Sequence, residues 1–380
     1  MSTLLARINA ELKGDRAIWA IFAILAILSI LAVYSSTGTL AYRERGGNTE
    51  SYLFKHAVIL SAGILLAYLA HLLHYMKFSR WAPFLLLASI PLLFLTIAIG
   101  PEINDARRWI HIPYVGLTFQ TSDFAKLALI IYVARAISSK QEYIKDFNSA
   151  FLPIIVPILI ICALIAPADL STAMLLFLVC ILMMFIGRVA VKYILLLFLL
   201  GLCVFAALIL LHELMPDIIR VETWVSRWQE FTDPSTEGGY QVQQAKIAIA
   251  NGGAIGLGPG NSIQRNFLPA SYSDFIYAII CEEYGVLGGS VIIGLYVLLF
   301  FRTTRLVTKS SKAFGAMLAM GLSLSLVLQA FVNIAVSVNL LPVTGLTLPM
   351  LSMGGTSLLF TCMAFGIILS VSKFFESETQ

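Results

Sequence analysis

Ten apolar runs set the terms for this chain. They fall near residues 17–36, 55–74, 82–100, 121–138, 151–166, 170–187, 191–212, 274–302, 313–337 and 346–373. Each is long enough, or nearly so, to cross a hydrocarbon layer about 30 Å thick as a helix. Lipid offers no partner to an exposed N–H or C=O, so such a run must bond within itself. The expectation is an all-α polytopic membrane protein with about ten transmembrane helices. Only 12% of the residues are charged, about half the share a soluble domain carries. One integral membrane domain, 1–380, accounts for the whole chain.

Basic residues crowd the short loops on the side of the termini, among them Lys13, Arg16, Lys140, Lys192, Arg302 and Lys373. The positive-inside rule then makes both termini cytoplasmic, 1–16 at one end and 374–380 at the other. Segments 37–54, 101–120, 213–273 and 338–345 are left outside. The long loop 213–273, between the seventh and eighth spans, is expected to be partly structured, since long loops in compact proteins usually serve a function. Within it, 240–250 reads as a short amphipathic helix, and Asn251-Gly-Gly and 256–260 as turns.

Several classes lose ground. The net charge of +4 fits cytoplasmic loops and calls for no nucleic acid. The five cysteines lie in apolar runs without paired spacing and read as packing residues. Five scattered histidines make no metal site. No Walker loop, dinucleotide fingerprint or HExxH is present. The N-terminus has no cleavable signal pattern.

The chemistry lies at the outer ends of the spans. Asp274 stands where polar sequence gives way to an apolar helical pattern, and two readings are open: a helix cap or a functional acid. Glu282 and Glu283 are expected roughly 12–13 Å further in along that helix. Asp123 and Lys126 share one helix face at i, i+3 and can pair. Asp169, between two short spans, either caps the second or serves the site. Arg107 and Arg108, beside Trp109, suit a phosphate or diphosphate, because guanidinium presents a planar fork of donors. Arg220, Arg227, Lys246 and Arg265 add outer cations against the positive-inside trend. Together these residues describe an outward-facing cavity with cations at its rim and carboxylates inside. That suits a lipid-linked phosphosugar better than a small cation.

Six motifs, in order, resemble those of the SEDS proteins (shape, elongation, division and sporulation), polytopic peptidoglycan polymerases. They are ARRWI at 106–110, FQTSDFAKLA at 119–128, ADLSTA at 168–173, YQVQQAKIAIANGG at 240–253, FLPASYSDFIYAIICEEYG at 267–285 and LPVTGLTLPMLSMGGTSLL at 341–359. GLGPGNSIQRNFLP and GLTLPMLSMGGTS resemble the division (FtsW) branch more than the elongation (RodA) branch. The chain departs from the family pattern in placing Asp123 where Glu is usual, Ser171 at a glycine position and Met353 where Tyr is common.

The resemblance implies a glycosyltransferase in the bacterial inner membrane, facing the periplasm. It would join lipid II into β-1,4 glycan strands for septal wall synthesis, releasing undecaprenyl diphosphate. Asp274 matches the family's key aspartate. Asp123, Lys126 and Asp169 match cavity residues. Gln120 and Ser352, in the same motifs, join Arg107, Arg108, Arg227 and Lys246 as expected substrate contacts. A divalent cation, magnesium or manganese, is carried as an optional helper, and no organic cofactor is expected. The implied partners are lipid II, the undecaprenyl-linked strand, a class B penicillin-binding protein and other membrane proteins of the division machinery. A lipid II flippase and a RodA-type elongation polymerase are the rival readings.

Overall fold

The computed structural model describes residues 13–38, 40, 49–101, 107–112, 117–214, 227–229, 231–232, 237–269, 271–308, 310 and 312–379. Arg220 lies outside the described residues, as does most of the basic N-terminal segment.

Ten helices answer to the ten apolar runs: α1 Arg16–Ser36, α2 Thr49–Leu72, α3 Met76–Ile99, α4 Thr121–Ser139, α5 Leu152–Ile165, α6 Leu170–Ile186, α7 Val191–Leu214, α9 Ile276–Thr308, α10 Ala313–Ser337 and α11 Thr356–Thr379. The expected amphipathic helix forms as α8, Glu237–Gly252. Among the described residues seven helical stretches are long and apolar enough to cross a membrane, one of them Phe147–Ile165, in which a π-helical turn leads into α5; α6 is shorter. α4 carries Asp123, Lys126 and Arg135, charges it can keep because neighbouring helices cover it. A two-stranded hairpin, β1 Trp109–Ile112 and β2 Leu117–Gln120, pairs Trp109 with Gln120, which sets Arg108 beside the start of α4.

α10 is the axis of the bundle, buried along most of its length and packed against α4, α6, α9 and α11. α11 in turn packs closely on α2. A side-chain carbon on Gly366 would overlap the Ala67 backbone, and one on Gly63 would stand 2.8 Å from Cys362 Sγ. Small residues at i, i+4 on both helices let the backbones meet, as helices in lipid require when no hydrophobic force drives them together. At the end of the bundle nearest the termini, Asp15 caps α1 through Ala17 N at 2.8 Å, and its other oxygen takes Arg302 of α9 at 2.6 Å. Its own N–H donates to Ser372 of α11 at 2.7 Å.

Two spans differ from expectation, both at the far end of the bundle. The run 346–373 is not one helix: 346–355 is loop, and α11 begins at Thr356. Pro349 withholds a backbone donor, and Met350 and Gly355 adopt positive φ, 67° and 55°. The run 274–302 also divides. Asp274 lies in a turn, 271–275, before α9, and α9 breaks at Gly285, whose φ of 69° and ψ of −174° are not helical. Ser271 Oγ donates to Ser36 O at 3.3 Å, and Glu283 accepts the Ser35 hydroxyl. Both ends of 271–283 therefore meet adjacent residues at the top of α1. The helix from 276 to 308 is, by length and composition, long and apolar enough to cross the layer. Glu282 and Glu283 are both buried on the helical turns before the break.

Candidate functional site

The polar groups of the far end collect around the loop before α11. Gly345, at φ +70°, is the point of approach: a side-chain carbon built there would lie 3.9 Å from both Arg108 Nη1 and Asp274 Oδ2. Arg108 leaves the start of the hairpin and donates through Nε to Ala168 O at 2.8 Å, while Nη1 stands 3.5 Å from Asp169 Oδ2. Asp169 also accepts from Thr172 N at 3.1 Å, so its two oxygens serve both readings, helix cap and site acid. Arg227 reaches the same loop, donating to Thr344 O at 3.5 Å. Five separate stretches of chain thus bring two guanidiniums and two carboxylates together.

Asp274 is held by both its main chain and its side chain. Asn333 Nδ2 donates to its carbonyl at 2.8 Å, and Ser273 Oγ donates to Oδ1 at 3.1 Å. Burial raises the proton affinity of its carboxyl, and this outweighs the opposing pull of Ser273, Arg108 and Arg227; Asp169 adds a smaller upward push. A carboxylate held high in this way, next to fixed cations, is suited to accept a proton while negative charge gathers close by.

Two hollows among the described residues take up several of the expected side chains. The first is lined by Arg107, Arg108, Asp169, Ser122, Leu93 and Ile165, among others. It offers cations on one side and apolar walls from α3 and α5 on the other. The second takes Asp123 and Lys126 with Ser325, Thr361, Leu322 and Phe360. Successive residues of α4 serve different hollows, because side chains about 100° apart on a helix point to different neighbours. Lys126 Nζ stands 3.2 Å from Asp123 Oδ1 and donates to Gln329 Oε1 at 3.0 Å. Asp123 Oδ2 is buried without a partner among the described residues. Lys126→Ala would strip a buried carboxylate of its counter-ion, a change that costs about 3–5 kcal/mol. A clear fall in melting temperature in detergent is expected, and a stable variant would show that the pair bears no structural load.

The remaining expected residues are dispersed. Gln120 is tied at the main chain to Thr356 Oγ1 at 3.1 Å and by its side chain to Ser122 Oγ at 3.1 Å. Ser352 Oγ donates to Ser273 O at 2.6 Å and accepts from Leu348 N at 2.8 Å, so it joins the loop to the turn that carries Asp274. Arg107 is exposed at the rim of the first hollow and donates to Ile97 O at 3.3 Å. Lys246 is exposed on α8, whose other face packs through Ala245 and Ala248 on Phe275 and Ala278; it is not among the contacts that gather at Gly345. Glu282 and Glu283 serve the loop beneath α8. Glu282 accepts the Ser262 hydroxyl and Gln264 N at 3.2 Å. Arg265, which donates to Ser35 O at 3.0 Å, stands beside Glu283.

Sequence reasoning passed over Gln329, Asn333, Thr344 and Gly345. Charge drew attention to the acids and bases, whereas Gln329 and Asn333 are neutral residues inside an apolar run. Their i, i+4 spacing was the available signal.

A family model described as that of a cell cycle protein, for FtsW, RodA and SpoVE, matches residues 15–377. The chain is 33% identical over 344 residues to a probable peptidoglycan glycosyltransferase FtsW of Geobacter sulfurreducens, covering 90% of each. It is 32% identical over 331 residues to stage V sporulation protein E of Bacillus subtilis, covering 86% of this chain and 88% of that one. Among solved structures it is similar to a chain of a peptidoglycan synthase complex that coordinates polymerization and crosslinking, with a TM-score of 0.76, 27% identity, and 94% of this chain and 97% of that one covered. The rod shape determining protein RodA of Thermus thermophilus shares the fold, with a TM-score of 0.68, 24% identity, and 97% and 98% covered.

Proposed function

The chain belongs to the FtsW, RodA and SpoVE family of cell cycle proteins, and from that membership we propose a peptidoglycan glycosyltransferase that polymerises lipid II for septal wall synthesis. One observation carries the chemical reading: the carboxylate with raised proton affinity and the Arg108 guanidinium converge on Gly345. An α-linked diphosphate donor and a β-linked product need one inversion at the anomeric carbon. Asp274 takes the proton from the acceptor 4-hydroxyl as the oxygen attacks. Arg108 and Arg227 balance the charge growing on the departing diphosphate. Lys126 faces the other hollow, engaged with Asp123 and Gln329, so it is not given that task. The first hollow, cationic on one side and apolar on the other, suits a diphosphate joined to a lipid tail.

Among the described residues no three His, Cys, Asp or Glu side chains gather to hold a metal ion. A divalent ion at this site would draw on Asp274 or Asp169 and on oxygens of the diphosphate, the mixed ligand set magnesium commonly accepts. The site faces the periplasm of a bacterial inner membrane, with both termini in the cytoplasm. Its partner is a class B penicillin-binding protein, a reading supported by the likeness to a synthase complex that couples polymerization with crosslinking.

Purified protein incubated with labelled lipid II, with and without that partner, should yield a ladder of glycan strands on a gel. No polymer in the presence of the partner would overturn the reading. Movement of lipid II between leaflets without polymer would favour the flippase instead.

A further inference from the structure

The loop that meets Asp274 does not hold its own shape. Gly345 and Met350 both have positive φ, 70° and 67°, and a side chain such as methionine rarely adopts that conformation. Backbone of this kind persists where its surroundings over-determine it. Three side chains do so here. Tyr296 of α9 donates its hydroxyl to Pro349 O. Gln329 of α10 donates through Nε2 to Thr347 O at 2.9 Å. One helical turn above it, Asn333 donates through Nδ2 to Leu346 O at 2.7 Å and to Asp274 O at 2.8 Å.

The Asn333 amide is the link that matters most. It joins the residue after Gly345 to Asp274 itself, and so ties the two strands of backbone between which Arg108 approaches. Its Oδ1 is buried with no partner among the described residues. An unpaired buried acceptor is unfavourable, so packing alone gives no reason for an amide in the middle of an apolar helix. The two donated bonds do.

We propose that Asn333, with Gln329 as a second rung below it, is a positioning residue that sets the distance between the Asp274 carboxylate and the Arg108 guanidinium. It acts through the main chain on both sides of Gly345 and touches no reacting atom. The proposal rests on the reading of Asp274 as the base, and it predicts behaviour that strand formation alone would not reveal. The charged groups facing Asp274 are Arg108 from the hairpin, Arg227 from the outer loop and Asp169 at the start of α6. None of them bonds to Asn333 in the described structure, so they remain when it is replaced. What changes is how firmly the turn is held away from water.

Asn333→Leu keeps the volume and removes both donors. In the full-length protein with its transpeptidase partner and lipid II, kcat should fall by about 10²-fold, the scale of a 1 Å misplacement, with KM little altered. The acid limb of the pH–rate profile should move to lower pH as water reaches Asp274. A second measurement needs no catalysis. Labelling of Asp274 by a water-soluble carbodiimide, followed by peptide mass spectrometry across pH, should show its midpoint displaced in the same direction. If Asn333→Leu does not fold, Asn333→Ser, which keeps one donor, should show a smaller displacement. A lowered melting temperature with both midpoints unmoved would make Asn333 a structural residue and overturn the proposal. A displaced labelling midpoint in a protein that makes no polymer would uphold the positioning and count against the polymerase.

Discussion

Asp274→Asn is expected to cut strand formation from lipid II by about 10²–10⁴-fold, the usual contribution of a positioned base. The amide fills the same space and accepts the same Ser273 hydroxyl, but it cannot take a proton. The variant should also melt no lower than the parent at neutral pH. The sign follows from linkage. The folded protein binds the Asp274 proton more tightly than the unfolded chain does. The carboxyl's contribution to folding is therefore fully present below the ordinary aspartate pKa of about 3.9. That contribution fades as pH rises through the higher folded value. Above it the ionised group weighs against the fold, and the neutral amide removes the burden. For the same reason the acid limb of the activity profile should lie above the ordinary aspartate range, and it should disappear in the variant. Full polymer yield from Asp274→Asn would remove the base from the mechanism. A loss of yield accompanied by a lower melting temperature would assign the residue to folding instead.

Gly285→Ala should be strongly destabilising for a change of a single carbon. Breaking α9 at this residue leaves carbonyls at the end of 276–284 without helical partners. The loop after α8 supplies them: Leu257 N donates to Glu282 O at 2.9 Å and Gly258 N to Glu283 O at 2.9 Å. Beyond the break, Val286 N returns a bond to Gly253 O at 2.9 Å. The seam closes because three glycines lie in it. Side-chain carbons on Gly252, Gly256 or Gly285 would overlap the Cys281, Glu283 or Ala254 carbonyl respectively. Alanine at 285 would also be forced into a backbone region suited to glycine, which costs about 1–3 kcal/mol before any clash. With the seam opened, Glu282 would lose the Ser262 hydroxyl and its main-chain donors. The total should exceed about 4 kcal/mol, the range reserved for named structural lesions. A steep loss of monodisperse protein on size-exclusion chromatography would report it. Gly294→Ala, in the same helix with open space around it, should be close to neutral. Equal melting temperatures for the two variants would show that the seam does not bear this load.

The ten apolar helices and the amphipathic α8 could be read from residues alone. Partition into lipid is a property of each stretch by itself: length, apolar content and the side on which Lys and Arg lie. Asp274 and Asp169 were legible as acids placed where they are expensive to keep, and Arg108 and Arg227 as outer cations suited to an anion. Their meeting at Gly345 was not, because it depends on how α4, α6, α9 and α10 pack, and that packing is set by small residues and buried amides that carry no charge. The same limit hid the course of 271–285. An apolar run looks alike whether its helix is continuous or broken. Only the bonds to Ser35 and Ser36 at one place, and the glycine seam at the other, fix the turn at 271–275 and the break at Gly285.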